Sequence, residues 1–169
     1  MIYPSPLISG DELNFLKETI GKDKTIVEIG CYAGGTTCVL AESNKVIAID
    51  PFIPNYDPAD PTITLENTDG VEKTFSEAIK GKNIIWHKEK SEEVLKWWKD
   101  EIDGVFIDGN HSESLVLKDI GWVPFIRKGG VIAFHDYDIW SGVQNVVNQY
   151  IKGKYEEIGM VDHLIIFRR

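Results

Sequence analysis

The order of the predicted elements indicates an α/β domain with a mostly parallel sheet and helices on both of its faces. Strand-like runs of aliphatic residues alternate along the chain with segments whose apolar residues recur at helical spacing. This alternation is typical of parallel sheets, because a crossover between parallel strands usually contains a helix. The length of 169 residues is that of one domain, and we expect residues 1–169 to form it.

Seven strands and six helices are predicted, each from a run of suitable residues bounded by turn-forming ones. The strands are Thr25–Ile29, Lys45–Ile49, Asn83–His87, Asp103–Ile107, Gly130–Phe134, Tyr155–Met160 and His163–Phe167. The last two are expected to form an antiparallel hairpin at the edge of the sheet. The helices are Ser9–Ile20, Gly34–Ser43, Thr68–Lys80, Ser91–Lys99, Ser112–Ile126 and Ile139–Lys152. Ser9 or Asp11 is suited to cap the first helix and Ser91 the fourth, and Pro124 strains the end of the fifth.

The segment Pro51–Asn67 contains four prolines and therefore predicts no regular element. Loops of this length in a small domain are usually functional. We interpret this segment as a lid over a site at the end of the second strand.

The composition excludes several classes of partner. A net charge of −9 at pH 7, without a basic stripe, argues against nucleic acid as a substrate. No apolar run is long enough to cross a membrane, and the chain does not begin like an exported protein. Cys31 and Cys38 are too few for a disulfide framework, so we expect a reducing, cytoplasmic location.

A glycine-containing loop follows the first strand, and Asp50 follows the second. Glycines allow a sharp turn and close approach to a ligand, and the next helix offers free backbone amides. A carboxylate at Asp50 can accept hydrogen bonds from both hydroxyls of a ribose. The loop reads E-x-G-x-x-x-G, with Tyr32 where nicotinamide-binding loops carry a glycine. The pattern therefore favours S-adenosylmethionine, which has no pyrophosphate to bind.

The sequence VEIGCYAGGTT followed by VIAID resembles the first motif and the ribose-binding strand end of class I S-adenosylmethionine-dependent methyltransferases. The likeness is greatest to the catechol O-methyltransferase-like group and to metal-dependent sugar O-methyltransferases of macrolide pathways. It implies a Rossmann-like methyltransferase fold with strand order 3-2-1-4-5-7-6. It also implies that the cofactor is bound by Glu28, Gly30, Tyr32, Gly34, Asp50, Ser91, Glu92 and Asp108. In this arrangement Asp50 holds the ribose, and Ser91 and Glu92 lie near the adenine.

A second group of polar residues follows the fourth and fifth strands. Asp108 and His111 follow the fourth, and His135 and Asp136 follow the fifth. Such strand ends are neighbours in an open parallel sheet, where ligands bind. Two carboxylates and one imidazole suit Mg²⁺ or Mn²⁺. A bound ion could lower the pKa of an acceptor hydroxyl, and His111 could accept its proton.

The resemblance assigns the same roles to this group. FIDGNH and RKGGVIAFHDY are similar to the segment that carries the metal ligands of those enzymes. The resemblance implies that Asp108, His135 and Asp136 bind the metal and that His111 is the general base. His135 departs from the pattern, because relatives commonly have an acidic residue there.

These patterns predict metal-assisted O-methylation of a small hydroxylated molecule, a sugar or a phenol. Two other functions stay open: a non-catalytic cofactor-binding module, and a nicotinamide-dependent oxidoreductase or epimerase. In a purely structural interpretation, Asp108 and Asp136 cap helices. One helix precedes the first strand, which leaves little sequence for an acceptor pocket. A homodimer could supply the missing walls, and Trp140 could pack against the acceptor.

Overall fold

The computed structural model describes residues 4–53 and 68–169. In these ranges seven strands form one sheet in the order β3-β2-β1-β4-β5-β7-β6. Strands β1 to β5 pair in parallel, and β7 pairs antiparallel with both β5 and β6. The strands are β1 Thr25–Ile29, β2 Lys45–Ile49, β3 Ile84–His87, β4 Ile102–Ile107, β5 Ile126–Phe134, β6 Glu156–Val161 and β7 Leu164–Arg168. The predicted order and the C-terminal hairpin are confirmed.

The helices in the described residues lie where the sequence predicts them, but several are shorter. They are α1 Gly10–Ile20, α2 Gly35–Leu40, α3 Thr68–Ala78, α4 Ser91–Leu95, α5 Glu113–Asp119 and α6 Ser141–Val146. The prediction of one helix to Ile126 is wrong: a 3₁₀ segment, Ile120–Phe125, follows α5, and Ile126 begins β5. Pro124 has no N–H to continue an α-helical ladder, which accounts for the change. A π-helical turn, Val147–Ile151, continues α6.

The first helix begins with a capping box. The Glu12 N–H donates to Ser9 Oγ at 3.2 Å, and the Ser9 N–H donates to Glu12 Oε2 at 2.6 Å. The prediction that Ser91 caps α4 is wrong, because Lys90 occupies the N-cap position and makes no side-chain cap. The Ser91 hydroxyl instead donates to the Asp119 carboxylate.

Buried aliphatic residues cover both faces of the sheet. Val27 and Ile29 of β1 pack on one face, in a cluster with fully buried Trp122, and Ile26 packs on the other face with Leu16. Burial on both faces explains why the central strands are almost continuously apolar. Among the described residues, no helix has the length and apolar character needed to cross a bilayer.

The proposed lid falls largely outside the described residues, since 54–67 are not among them. Its first part packs on α3 and β3: the ring of Phe52 lies 5.5 Å from that of Phe75 and 5.7 Å from that of Trp86. The chain therefore leaves β2 through an aromatic cluster beside the site.

Candidate active site

A cavity of about 360 Å³ lies at the carboxyl ends of the parallel strands. Most of the residues that the sequence singled out line it: Glu28, Gly30, Tyr32, Asp50, Ser91, Asp108, His111, His135 and Asp136. Gly34 and Glu92 are not among the described residues that line it. Gly34 is the N-cap of α2, and the Glu92 carboxylate pairs with the Lys118 amine at 2.9 Å. The assignment of those two residues to the cofactor stays a prediction.

The Asp50 carboxylate organises the loop after β1. Its Oδ2 accepts the N–H groups of Cys31 at 2.9 Å and Tyr32 at 3.1 Å, and its Oδ1 accepts that of Phe52 at 2.8 Å. Burial raises the pKa of Asp50, and these three donors partly offset the rise. A carboxylate offers about four lone-pair sites, so Asp50 keeps limited capacity for a ligand hydroxyl.

The backbone conformation at Gly30 brings the two halves of the site together. Its φ is +85°, and a Cβ at this position would lie 2.2 Å from the carbonyl oxygen of Asp108. Any side chain would push the loop after β1 away from the end of β4. Tyr32 also has a positive φ, of 47°, and its N–H bond to Asp50 holds this less favourable conformation.

Glu28 supplies a buried acidic group at the base of the cavity. Burial raises its pKa to about 8, and the nearby charges of Asp108 and Asp50 add to the rise. Within the described residues, Glu28 Oε2 has no hydrogen-bond partner. A cationic ligand would favour the ionised carboxylate. S-adenosylmethionine carries a sulfonium and an ammonium group and therefore fits this environment.

Asp119 is a residue of the cavity that sequence reasoning missed. It is buried, lines the cavity and accepts the Ser91 hydroxyl. Burial raises its pKa to about 7, although the bond from Ser91 opposes the rise. The signal in the sequence was an acidic residue three positions after Val116, on the apolar face of α5.

The predicted metal ligands do come together. His135 Nδ1 lies 3.0 Å from Asp108 Oδ1 and 3.2 Å from Asp136 Oδ2. One ligand atom from each of the three residues lies within 4.8 Å of the others. Within the described residues, neither ring nitrogen of His135 makes an aligned hydrogen bond. Two carboxylates and a partly buried imidazole without such bonds fit Mg²⁺ or Mn²⁺.

The charges in this cluster depend strongly on one another. Burial lowers the pKa of His135, but the carboxylates of Asp108 and Asp136 outweigh it and raise the value to about 11. Burial alone would raise the pKa of Asp136. The contacts with His111 and His135 have the larger effect and hold the pKa of this carboxyl well below its ordinary value. Burial raises the pKa of Asp108 despite its contact with His135. A histidine ligates metals as the neutral imidazole, so an ion has to displace a proton from His135.

His111 lies beside this cluster and is held on two sides. Its Nε2 is 3.0 Å from Asp136 Oδ2, the same oxygen that contacts His135. Its ring stacks on Trp140, with centroids 5.1 Å apart and planes 10° apart. Trp140, considered above as a contact for the acceptor, thus supports His111. The stacked ring and the carboxylate contact orient His111 at the wall of the cavity.

The loop that carries Asp136 has an unusual backbone. Asp136 has a φ of +57°, in the left-handed region that few residues other than glycine adopt. The Tyr137 N–H donates to His163 O at 3.1 Å, and the Trp140 N–H donates to Asp136 O at 3.1 Å. These bonds compensate the strain and aim the Asp136 carboxylate at both histidines.

The sheet order, the glycine turn after β1 and the acidic residue after β2 are the features that the resemblance to class I S-adenosylmethionine-dependent methyltransferases implies. Comparison with known proteins agrees with this class. Residues 27–137 match the model of a family described as a methyltransferase domain. The chain belongs to this methyltransferase-domain family.

One curated relative and two solved structures illustrate the similarity. The chain is 30% identical over 160 residues to the uncharacterized protein R132 of Acanthamoeba polyphaga mimivirus, covering 85% of this chain and 68% of that protein. The O-methyltransferase NovP has a TM-score of 0.64 and 14% identity over 94% of this chain and 76% of its own. An rRNA methylase from Streptococcus thermophilus has a TM-score of 0.64 and 16% identity over 98% and 99% of the two chains. At these identities the solved structures share the fold and do not specify the acceptor.

Proposed function

We propose that this chain catalyses metal-assisted O-methylation of a small hydroxylated molecule, such as a sugar or a phenol. One observation carries the proposal: Asp108, His135 and Asp136 form a cation-sized cluster beside His111 in the cavity that contains the cofactor loop. O-methylation needs a deprotonated hydroxyl next to the methyl donor, and this cluster contains groups suited to that task.

Different side chains of the site have different roles in the proposed methyl transfer. The loop after β1, held by Asp50, binds and orients the cofactor, and Glu28 faces its positive charge. His111 accepts the proton of the acceptor hydroxyl, and Asp136, 3.0 Å from its Nε2, orients the ring and stabilises the resulting imidazolium. Asp108, His135 and Asp136 would hold the divalent cation. When bound, such an ion polarises acceptor oxygens and lowers the pKa of a hydroxyl.

The charge of the chain supports a small acceptor over RNA. The chain has 27 acidic and 18 basic residues, and this negative net charge disfavours approach to a phosphate backbone. A cavity of about 360 Å³ is in the range of small-molecule sites.

The test is a methyl-transfer screen against diols, sugars and catechols, with Mg²⁺, with Mn²⁺ and with EDTA. We expect turnover that requires a divalent ion and falls sharply in His111→Ala. Methyl transfer to RNA with none to small molecules would overturn the assignment of the acceptor.

Calorimetric titration with S-adenosylmethionine, its demethylated product and NAD checks the cofactor, since tight binding of NAD alone would favour an oxidoreductase or epimerase. Cofactor binding without turnover on any acceptor would favour a non-catalytic module.

A second candidate mechanism follows from the two carboxylates that face Nδ1 of His135 at 3.0 and 3.2 Å and raise the pKa of the imidazole. In this mechanism the His135 imidazolium itself supplies the positive charge between Asp108 and Asp136, and no metal takes part. Turnover that is equal with EDTA and with Mg²⁺, but is lost in His135→Ala, would favour this mechanism.

A further inference from the structure

His135 has a polar contact on the side of its ring that faces away from the site. Its Nε2 lies 3.3 Å from Oε1 of Glu12, on helix α1. Its Nδ1 faces Asp108 and Asp136 at 3.0 and 3.2 Å. Glu12 is only 2% exposed. The imidazole therefore lies between one carboxylate on α1 and two carboxylates at the strand ends.

The Glu12 carboxylate is itself fixed from two directions. Its Oε2 accepts the Ser9 N–H at 2.6 Å as half of the capping box. Its Oε1 accepts the His163 N–H at 2.9 Å, from the turn between β6 and β7. Two backbone donors from distant parts of the chain thus hold the carboxylate against Nε2 of His135.

The partner at one ring nitrogen decides what the other nitrogen can do. A neutral imidazole has one N–H, and a carboxylate beside Nε2 keeps the proton there. When a divalent ion displaces the proton from Nδ1, the lone pair of Nδ1, on the side of Asp108 and Asp136, would be available to that ion. Histidines that ligate metals usually have a carboxylate, carbonyl or water on their other nitrogen for this reason.

We propose that Glu12 is a positioning residue, which sets the orientation and tautomer in which His135 holds a divalent cation. This inference rests on the proposed metal site and adds a residue from outside it. Glu12 lies outside residues 27–137, the segment that the family model matches. In this proposal helix α1 contributes a side chain that positions a metal ligand of the site.

The experiment measures Mn²⁺ binding to the purified protein by electron paramagnetic resonance. Glu12→Ala is expected to weaken Mn²⁺ binding roughly 10- to 100-fold. Ser9→Ala is the matched control, because it removes the other half of the capping box and the bond from Ser9 Oγ to Asp162 without touching His135. It is expected to keep wild-type Mn²⁺ affinity. Glu12→Leu roughly preserves side-chain volume and offers no acceptor atom to Nε2 of His135, so it gives the same test if Glu12→Ala does not fold.

A second measurement reports on the ring itself. In the Mg²⁺-saturated protein, ¹⁵N NMR of the imidazoles should show Nε2 as the protonated nitrogen of His135 in wild type and in Ser9→Ala. The Glu12 variants should lose this pattern, which a general loss of helix stability would not produce selectively.

The outcomes separate this inference from the proposed function. Mn²⁺ binding that is lost in Asp136→Ala but unchanged in the Glu12 variants would overturn the role of Glu12 and leave the metal site standing. An equal loss in Ser9→Ala and Glu12→Ala would also overturn it, because helix capping alone would explain the result. Absence of Mn²⁺ binding in the wild type would overturn both proposals.

Discussion

The two halves of the site are built from different kinds of contact. In the cofactor half, the Asp50 carboxylate bonds to three backbone N–H groups. In the cation half, Asp108, Asp136 and two histidines contact one another through side chains alone. Asp50 fixes the conformation of a loop because it bonds to backbone N–H groups. The cation half is held together by attraction between its carboxylates and its imidazoles, so removing one charge affects every member. Substitutions should therefore have graded effects in the first half and abrupt effects in the second.

The largest effect should follow from Asp136→Ala. This change removes the oxygen that both histidines share and one of the metal ligands. We expect loss of metal dependence and of most turnover, while S-adenosylmethionine affinity stays near that of the wild type. Metal-dependent kinetics and calorimetry of the variant measure the two properties separately. Full metal-dependent activity in this variant would contradict the assignment of the cation half.

His111→Ala should slow turnover by roughly 10²- to 10⁴-fold, the usual contribution of a general base. Cofactor and Mn²⁺ binding should persist, because His111 is neither a cofactor contact nor a metal ligand in our proposal. Single-turnover methyl transfer measures the chemical step. Trp140→Leu removes the stacked ring but not the base and is a useful control, with a smaller expected loss. A His111→Ala enzyme as fast as wild type would remove His111 from the mechanism.

Asp119→Asn tests the buried pair of Ser91 and Asp119 in the cofactor half. The folded state raises the pKa of Asp119 from 3.8 to about 7, so between these pH values the native state binds more protons than the unfolded state. The stability of the wild type therefore falls as pH rises through this window. The variant has no such group, and its stability relative to wild type should increase from pH 4 to pH 7 by up to about 4 kcal/mol.

Urea unfolding of both proteins at several pH values measures this difference. The raised pKa of Glu28 has the same sign, but it is present in both proteins and cancels in the comparison. A difference in stability that does not change with pH would contradict a raised pKa at Asp119.

Asp50→Ala should weaken S-adenosylmethionine binding by about 1–3 kcal/mol, the usual effect of losing ordered hydrogen bonds. The structure gives this effect a second source, because the variant also loses the acceptor that holds the N–H groups of Cys31 and Tyr32. Calorimetric titration measures it, with Asp136→Ala as the control in the other half. Unchanged affinity would contradict both contributions, the contact of Asp50 with the ligand and its anchoring of the loop.

Local patterns in the sequence predicted the elements and many of the polar residues at their ends. Short runs of aliphatic residues predicted the strands, the glycines after β1 predicted the turn at Gly30, and the polar residues after β4 and β5 predicted the cluster at Asp108 and Asp136. These features depend on neighbours in the chain, so a single sequence contains them. The strand order came from the resemblance to methyltransferases, which the sheet and the family match bear out.

The tertiary structure alone decided which side chains meet. Ser91 bonds to Asp119, 28 positions away, and Glu12 accepts the N–H of His163, 151 positions away. The sequence assigned Ser91 to a helix cap, and it gave no reason to connect Glu12 with His135. Such contacts arise when packing of the apolar faces brings distant elements together, and no local periodicity encodes the partner. For the same reason, the sequence predicts the residues of the cation cluster but not the carboxylate on α1 behind it.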